Sequence, residues 1–319
     1  MSTTIPPAAP PRPGAPARRT AKKVTLSDRA RHERNLGWLL AGPAFIAMVA
    51  VTGYPILNAV WLSLFDYRLT DPDGREFVGL GNYGTILGDG LFWQQFGVTA
   101  LITVVTVAVE LVLGFGLAMV MHRALYLRTA LRTAILVPYG IITVVSAYAW
   151  AYAFSNTYGF VNGLFGLGDF DWFGGTWSAL ATVCVAEIWK TTPFMSLLLL
   201  AGLAQIPDDY LEAAKVDGAT AWQRVKRVIL PNMKAAIMVA LLFRTLDAFR
   251  IFDTVFIMTA GAQNTETLSF LAYRQTISRV MIGLGSAVSV ILAILVVLIA
   301  VMFVKVFKTD LSQQRGDRK

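Results

Sequence analysis

Long apolar runs separated by short polar ones dominate the chain from residue 36 onward. A bilayer core about 30 Å thick needs roughly 20 mostly apolar residues in a helix. Six segments meet that requirement: 36–64, 96–121, 133–154, 177–204, 235–261 and 282–304. The first, third and sixth carry no charged residue, although Pro138 and Gly140 predict a kink in the third. The second carries Glu110, the fourth Glu187 and Lys190, and the fifth Arg244, Asp247, Arg250 and Asp253. The pattern predicts an all-α polytopic membrane protein with six transmembrane helices. The first apolar run exceeds the core of a signal peptide, about 7–15 residues, and no small-residue cleavage site ends it, so it reads as a retained helix. Residues 1–35 read as a disordered basic tail, with six of the thirteen prolines inside 1–17. Residues 36–307 form the membrane domain, and 308–319 a second polar tail.

Composition sharpens this picture. The chain is 55% hydrophobic and 15% charged, against about 45–50% and 25% in ordinary soluble domains, which excludes a soluble enzyme. A single cysteine, Cys184, rules out a disulfide framework and multi-cysteine metal sites, and reads as a small core residue. His32 and His122 flank different apolar runs, which argues against a histidine-rich metal centre. The net charge of +8 is explained by topology. When the loops are assigned to alternate sides, one side receives 21 of the 28 Lys and Arg and the other four. Basic loops are cytoplasmic, so both termini are expected inside a cell membrane, and no nucleic-acid partner is needed. Trp61, Trp93, Trp150 and Trp177 fall near span ends and are expected as interfacial anchors.

The loop 205–234 is the most informative segment. Ile206-Pro207-Asp208-Asp209 opens a helix, with proline suited to the first turn and the acids to the dipole. Glu212-Ala213-Ala214-Lys215-Val216-Asp217-Gly218-Ala219 follows, with Gly218 placed to end that helix in a left-handed cap. A second amphipathic helix is expected through Trp222, Val225 and Val228, closing at Ile229-Leu230-Pro231. Physics alone leaves two readings: an interfacial helix on the headgroups, or a knob that docks on another protein.

Glu-Ala-Ala at 212–214, Asp-Gly-Ala at 217–219 and Ile-Leu-Pro at 229–231 together resemble the coupling loop of ABC-importer permeases. The resemblance implies the type I ABC-importer permease fold and docking in a cleft of a cytoplasmic ATP-hydrolysing subunit. Glu212, Ala213, Ala214, Asp217, Gly218, Ala219, Leu230 and Pro231 would form that contact, with Glu212 and Gly218 at its centre. Phe77-Val78-Gly79-Leu80-Gly81-Asn82-Tyr83 is similar to an element of the carbohydrate permeases, and Val137-Pro138, Trp150, Gly159 and Asn162 fit the same group. The stretches 187–195 and 243–253 are similar to the first permease subunits of actinobacterial trehalose importers. Gly261-Ala262-Gln263 departs from the Gly-Gly-Pro of many relatives and puts the outer turn in doubt. The partners implied are a second, related permease chain, two ATP-binding subunits that hold ATP and Mg, an extracytoplasmic lipid-anchored sugar-binding protein and membrane lipid. Trehalose is the substrate implied, with maltose, maltodextrin or another α-glucoside as the runner-up.

No G-x-x-x-x-G-K-[ST], H-E-x-x-H or G-x-S-x-G element occurs, so the chain carries no recognisable motor, zinc-protease or hydrolase signature and no cofactor is expected in it. In a continuous helix Asp247, Arg250 and Asp253 share a face, with Phe249 and Phe252 beside it. An ionised group facing lipid at mid-span costs at least about 2.5–3.5 kcal/mol, so Arg244 and these three must meet protein or water. The stripe, with Phe249, is a candidate sugar path; the alternative is an ion-pair ladder that locks or gates the helices. Glu187 and Lys190 are spaced to pair with each other, while Glu110 needs a partner on another helix. Two rival classes remain: an ion-coupled carrier using intramembrane charges, and a membrane enzyme using Asp247 and Asp253 as paired acids. Neither explains the three-part loop.

Overall fold

The computed structural model describes residues 28–123 and 128–316. Most of the expected N-terminal tail and residues 124–127 and 317–319 lie outside the described residues. The chain divides into two compact units, 1–56 and 57–319. All described residues of the first belong to helix α1 (Asp28–Leu62), which begins inside the segment expected to be a disordered tail. Its apolar stretch packs on almost nothing in its own unit: Leu40 is 73% and Val51 75% exposed. Such a surface suits hydrocarbon and not water.

In the second unit the end of α1 is followed by a hairpin that hydropathy did not predict, β1 (Phe65–Arg68) and β2 (Asp71–Phe77), antiparallel with Phe65 opposite Phe77. Helices α2 (Gly81–Gly88) and α3 (Gly90–Arg123) follow, then α4 (Arg128–Gly140), α5 (Thr143–Ala153) and the short α6 (Val161–Phe165). Helix α7 (Thr176–Leu203) leads to α8 (Asp208–Val216) and α9 (Ala221–Arg224), which runs through a π turn at Val225–Ile229 into α10 (Leu230–Asn232). Helices α11 (Lys234–Ala248), α12 (Asp253–Met258), α13 (Leu268–Tyr273) and α14 (Ile282–Gly316) complete the unit. Helix α14 continues beyond the expected tail boundary at 307. Among the described residues four helices are long and apolar enough to cross a membrane, or six when each bent pair counts as one span.

The two bent pairs have local causes. Helix α4 carries Pro138 in its interior and stops two residues later at Gly140, and α5 leaves at 87°. The predicted kink is therefore a full break, since proline removes a helical donor and glycine offers little resistance. The second pair bends by 71° between Asn232 and Lys234, directly after Pro231.

Helix α7 is the most buried span, with 67% of its apolar window inside the protein, against 33% for α3 and 11% for α14. Close approach is bought by small residues. A side chain on Gly114 of α3 would meet Met195 and the Ser196 backbone of α7 at 2.9 and 3.2 Å, and one on Gly202 of α7 would overlap Ala236 of α11. The 77–83 motif also gains a physical reason. Buried Asn82 donates to the carbonyls of Ser63 (2.9 Å) and Phe65 (2.8 Å), and the Tyr83 and Ser63 hydroxyls lie 2.6 Å apart. These bonds pin the hairpin to α2. Trp61, Trp93 and Trp177 are exposed, but Trp150 is no surface anchor. It stacks on Phe154 and meets Trp189 edge-on inside an apolar cluster.

Candidate functional site

Arg244 is the hub of the membrane-embedded charges. Projecting from α11 with 1% exposure, it donates to Glu110 of α3 through Nε (2.5 Å to Oε2) and Nη2 (3.0 Å to Oε1). Its Nη1 donates to Asp247 at 2.7 Å and its Nη2 to Glu187 of α7 at 3.3 Å. A guanidinium fork matches a carboxylate in two-point geometry, which a lysine could not do. The expected partner of Glu110 is thus Arg244, and three helices are tied at one point. Two threonines complete the network: Thr191 donates to Glu110 at 2.7 Å, and Thr254 of α12 donates to Glu187. Neither was legible as functional in the sequence, because their partners lie 81 and 67 residues away.

The expected Glu187–Lys190 pair does not form. Glu187 is held by Arg244 and Thr254, and Lys190 Nζ donates to the Ile141 carbonyl at 2.7 Å, 5.9 Å from the Tyr139 ring centre. The break between α4 and α5 leaves carbonyls without helical donors, and a cation at a helix C-terminus is favoured by the dipole as well.

The charged stripe of span five is corrected in the same way. Helix α11 ends at Ala248 and α12 starts at Asp253, so Asp247, Arg250 and Asp253 do not share one helical face. The unwound turn instead wraps them around a cavity of about 430 Å³, which Arg244, Glu187, Lys190 and Phe252 also line. Backbone off the helical path is tolerated at membrane depth only when buried in protein or facing a wet cavity. Here protein partners take up the freed groups: Ile251 O accepts from Thr267, and Arg250 N and Ile251 N donate to Asp247 O and Ala248 O. Phe249 lies elsewhere. It is buried beside Leu268 and Leu271, edge-on to Phe96, and Phe252 takes the place expected for it at the cavity.

The knob follows its sequence closely. Asp208 and Asp209 occupy the first turn of α8, and Gly218 has φ +77°, where a side chain would be strained. Ala219 N donates to Ala214 O and Gly218 N to Lys215 O, the paired bonds of a glycine-terminated helix. Thr220 and Gln223 cap α9 reciprocally, a T-x-x-Q signal present in the sequence and passed over. Glu212, Ala213, Asp217 and Pro231 are exposed, whereas Ala214, Ala219 and Leu230 are half-buried. Trp222 departs from the expected amphipathic pattern, being 70% exposed, and Val216 at the end of α8 is 87% exposed. Ile229 is the buried anchor instead.

Residues 110–312 match the family described as the binding-protein-dependent transport system inner membrane component. The chain belongs to this family and is an inner-membrane permease component of an ABC importer, a transport subunit and not a catalytic one. It is 50% identical over 292 residues to the trehalose transport system permease protein SugA of Mycobacterium tuberculosis, covering 91% of this chain and 94% of that protein. It is 36% identical to the trehalose/maltose transport system permease protein MalF of Thermococcus litoralis, covering 87% and 96%. Among solved structures, a bacterial ABC transporter that imports the acidic polysaccharide alginate superposes with a TM-score of 0.75 at 20% identity, covering 88% of this chain and 99% of that one. That likeness establishes the type I ABC-importer permease fold.

Proposed function

We propose that the chain is one of two permease subunits of an ATP-driven trehalose importer and forms half of its translocation pathway. The observation that carries this reading is the 50% identity to a trehalose permease over nearly the whole of both chains. The second relative's name adds maltose, so maltose and other α-glucosides are the second reading. The excess of Lys and Arg in alternate loops supports cytoplasmic termini and a cytoplasmic knob.

In this reading a second, related permease supplies the other half of the path, two ATPase subunits bind ATP and Mg, and a lipid-anchored binding protein delivers sugar from outside. The knob seats in an ATPase cleft through Glu212, Ala213, Ala214 and Gly218, with exposed Val216 and Trp222 giving the contact its apolar area. Closure of the ATPases pulls on the knob, and the 71° bend after Pro231 turns that pull into movement of α11. The far end of α11 carries Arg244 and Asp247, so the movement reaches the cavity. There the free oxygens of Asp247 and Asp253 and the Arg250 guanidinium bond sugar hydroxyls, and Phe252 offers a ring face. The Glu110–Arg244–Glu187 tie keeps α3, α7 and α11 together while this occurs.

The test is uptake of labelled disaccharides by the full complex in liposomes with its binding protein. ATP-dependent trehalose uptake that disappears with Glu212→Ala supports importer class, substrate and coupling residue together. Uptake of maltose but not trehalose keeps the mechanism and replaces the substrate. Uptake driven by a proton gradient without ATP overturns the mechanism.

A further inference from the structure

Lys190 stands apart from the other membrane-embedded charges. It is 9% exposed within α7, and among the described residues it makes no ion pair, since Glu187 one turn before it is held by Arg244 and Thr254. A charge inside a span is costly, and where one is kept it marks a function. Its Nζ donates to the Ile141 carbonyl at 2.7 Å, and Ile141 and Ile142 are the whole of the linker between α4 and α5.

A two-residue linker is a swivel. Pro138 removes a helical donor before it and Gly140 adds backbone freedom, so the local sequence leaves the 87° bend soft. The Lys190 bond stiffens it from α7, because a charge-assisted hydrogen bond to one of two linker residues constrains both. The same side of α7 grips the residue before the break. Phe194, one turn beyond Lys190, stacks on Tyr139 with ring centres 5.3 Å apart and planes at 16°, and Lys190 Nζ lies 5.9 Å from the Tyr139 ring centre.

What is held in this way is one wall of the charged cavity. Tyr139 and Thr143, on either side of the break, both line it. Tyr139 is 45% exposed, and its hydroxyl has no hydrogen-bond partner among the described residues. A phenol fixed by its ring and free at its oxygen can donate to a sugar hydroxyl or accept from one. The opposite wall is the turn between α11 and α12, and it hangs on the same stretch of α7 through the Thr254–Glu187 bond. Glu187 and Lys190 stand about 4.5 Å apart along the α7 axis. One turn of one helix therefore spaces both walls.

We infer that Lys190 is a positioning residue of the sugar path: through the Ile141 carbonyl it fixes the break between α4 and α5, and so places the Tyr139 hydroxyl against the sugar without bonding the sugar itself. The inference rests on the sugar-import reading. It is tested with the assembled membrane complex in nanodiscs, the soluble binding protein left out, by saturation-transfer NMR titration with trehalose at equal amounts of complex. Tyr139→Phe deletes only the hydroxyl and should weaken binding about fivefold, the weight of one neutral hydrogen bond. Lys190→Met releases the wall and should cost the same factor, whereas Lys190→Arg keeps a cationic donor and should stay within about twofold of wild type. Phe194→Leu disturbs Tyr139 through its ring and strands no charge, so it should also weaken binding about fivefold, even where Lys190→Met assembles poorly. The double variant Lys190→Met with Tyr139→Phe separates positioning from contact. It should again lose about fivefold and not about twenty-five-fold, because both changes remove the same contact. Additive losses would show that Lys190 bonds the sugar directly, and wild-type affinity in both Lys190→Met and Phe194→Leu would show that the wall stands without them; either result overturns the inference. A wild-type complex that binds no trehalose overturns it as well. A wild-type complex that imports no sugar with ATP would overturn the underlying reading instead, whatever the titration gives.

Discussion

Replacing Arg244 with methionine isolates the central tie of the membrane domain. The substitution conserves most of the side chain's volume but removes the guanidinium that meets Glu110 at 2.5 and 3.0 Å, Asp247 at 2.7 Å and Glu187 at 3.3 Å. Asp247 is 64% exposed and can turn to water, but the Glu110 and Glu187 side chains are 0% and 9% exposed. Leaving a buried charge without its partner costs about 3–5 kcal/mol. Single hydrogen bonds between membrane helices are worth less, about 0.6 kcal/mol on average and up to about 1.7. The larger range applies here because the loss strands charges, not neutral groups. At about 1.4 kcal/mol per decade, the folding equilibrium should shift by about two to three and a half decades. The double variant Glu110→Leu with Arg244→Met removes the most buried stranded charge and should recover more than half of that loss, as a strongly coupled pair must. Denaturant unfolding in mixed micelles, followed by the fluorescence of the eight tryptophans, reads both quantities. An Arg244→Met protein within about 0.5 kcal/mol of wild type, or a double variant no better than the single, would refute a load carried by this network.

Glu212→Ala should leave stability within about 0.5 kcal/mol, since Glu212 is exposed, while ATP-driven uptake in liposomes falls at least about tenfold. Gly218→Val places a branched side chain at φ +77° and should cost about 1–2 kcal/mol in the knob, read as weakened co-purification with the ATPase subunits. Gly202→Leu drives a side chain into Ala236 and should destabilise by about 1–3 kcal/mol, read as a lower yield of monodisperse protein. Lys190→Met strips the Ile141 carbonyl of its donor and should cost about 1.5–3 kcal/mol; faster hydrogen exchange confined to residues around 141–143 would mark the effect as local.

Hydropathy placed the spans because lipid exposure is a local demand. Every residue of a membrane helix meets hydrocarbon or protein within its own turn, so the requirement for about 20 apolar residues is written in consecutive positions. The knob was equally legible, since its proline start, its glycine stop and its acidic first turn act within a few residues of one another. The hairpin at 65–77 and the cap formed by Thr220 and Gln223 were local too, but their signals were weaker than the apolar runs around them.

Pairing of charges was not local. Glu187 and Lys190 are one turn apart on α7, yet each bonds a group more than 45 residues distant, because a buried carboxylate gains more from a desolvated guanidinium than from a neighbour that a broken helix also demands. Glu110 and Arg244 met only once α3, α7 and α11 were packed, at positions where Gly114 and Gly202 let the backbones approach. The break at 249–252 dissolved the helical face assumed for Asp247, Arg250 and Asp253, sending Phe249 into the apolar core and Phe252 to the cavity. Sequence alone thus determined which segments are apolar enough to sit in a bilayer and where the helical knob begins and ends. The tertiary structure decided which charges neutralise one another and which remain free, because that choice depends on desolvation at contacts between helices far apart in the chain.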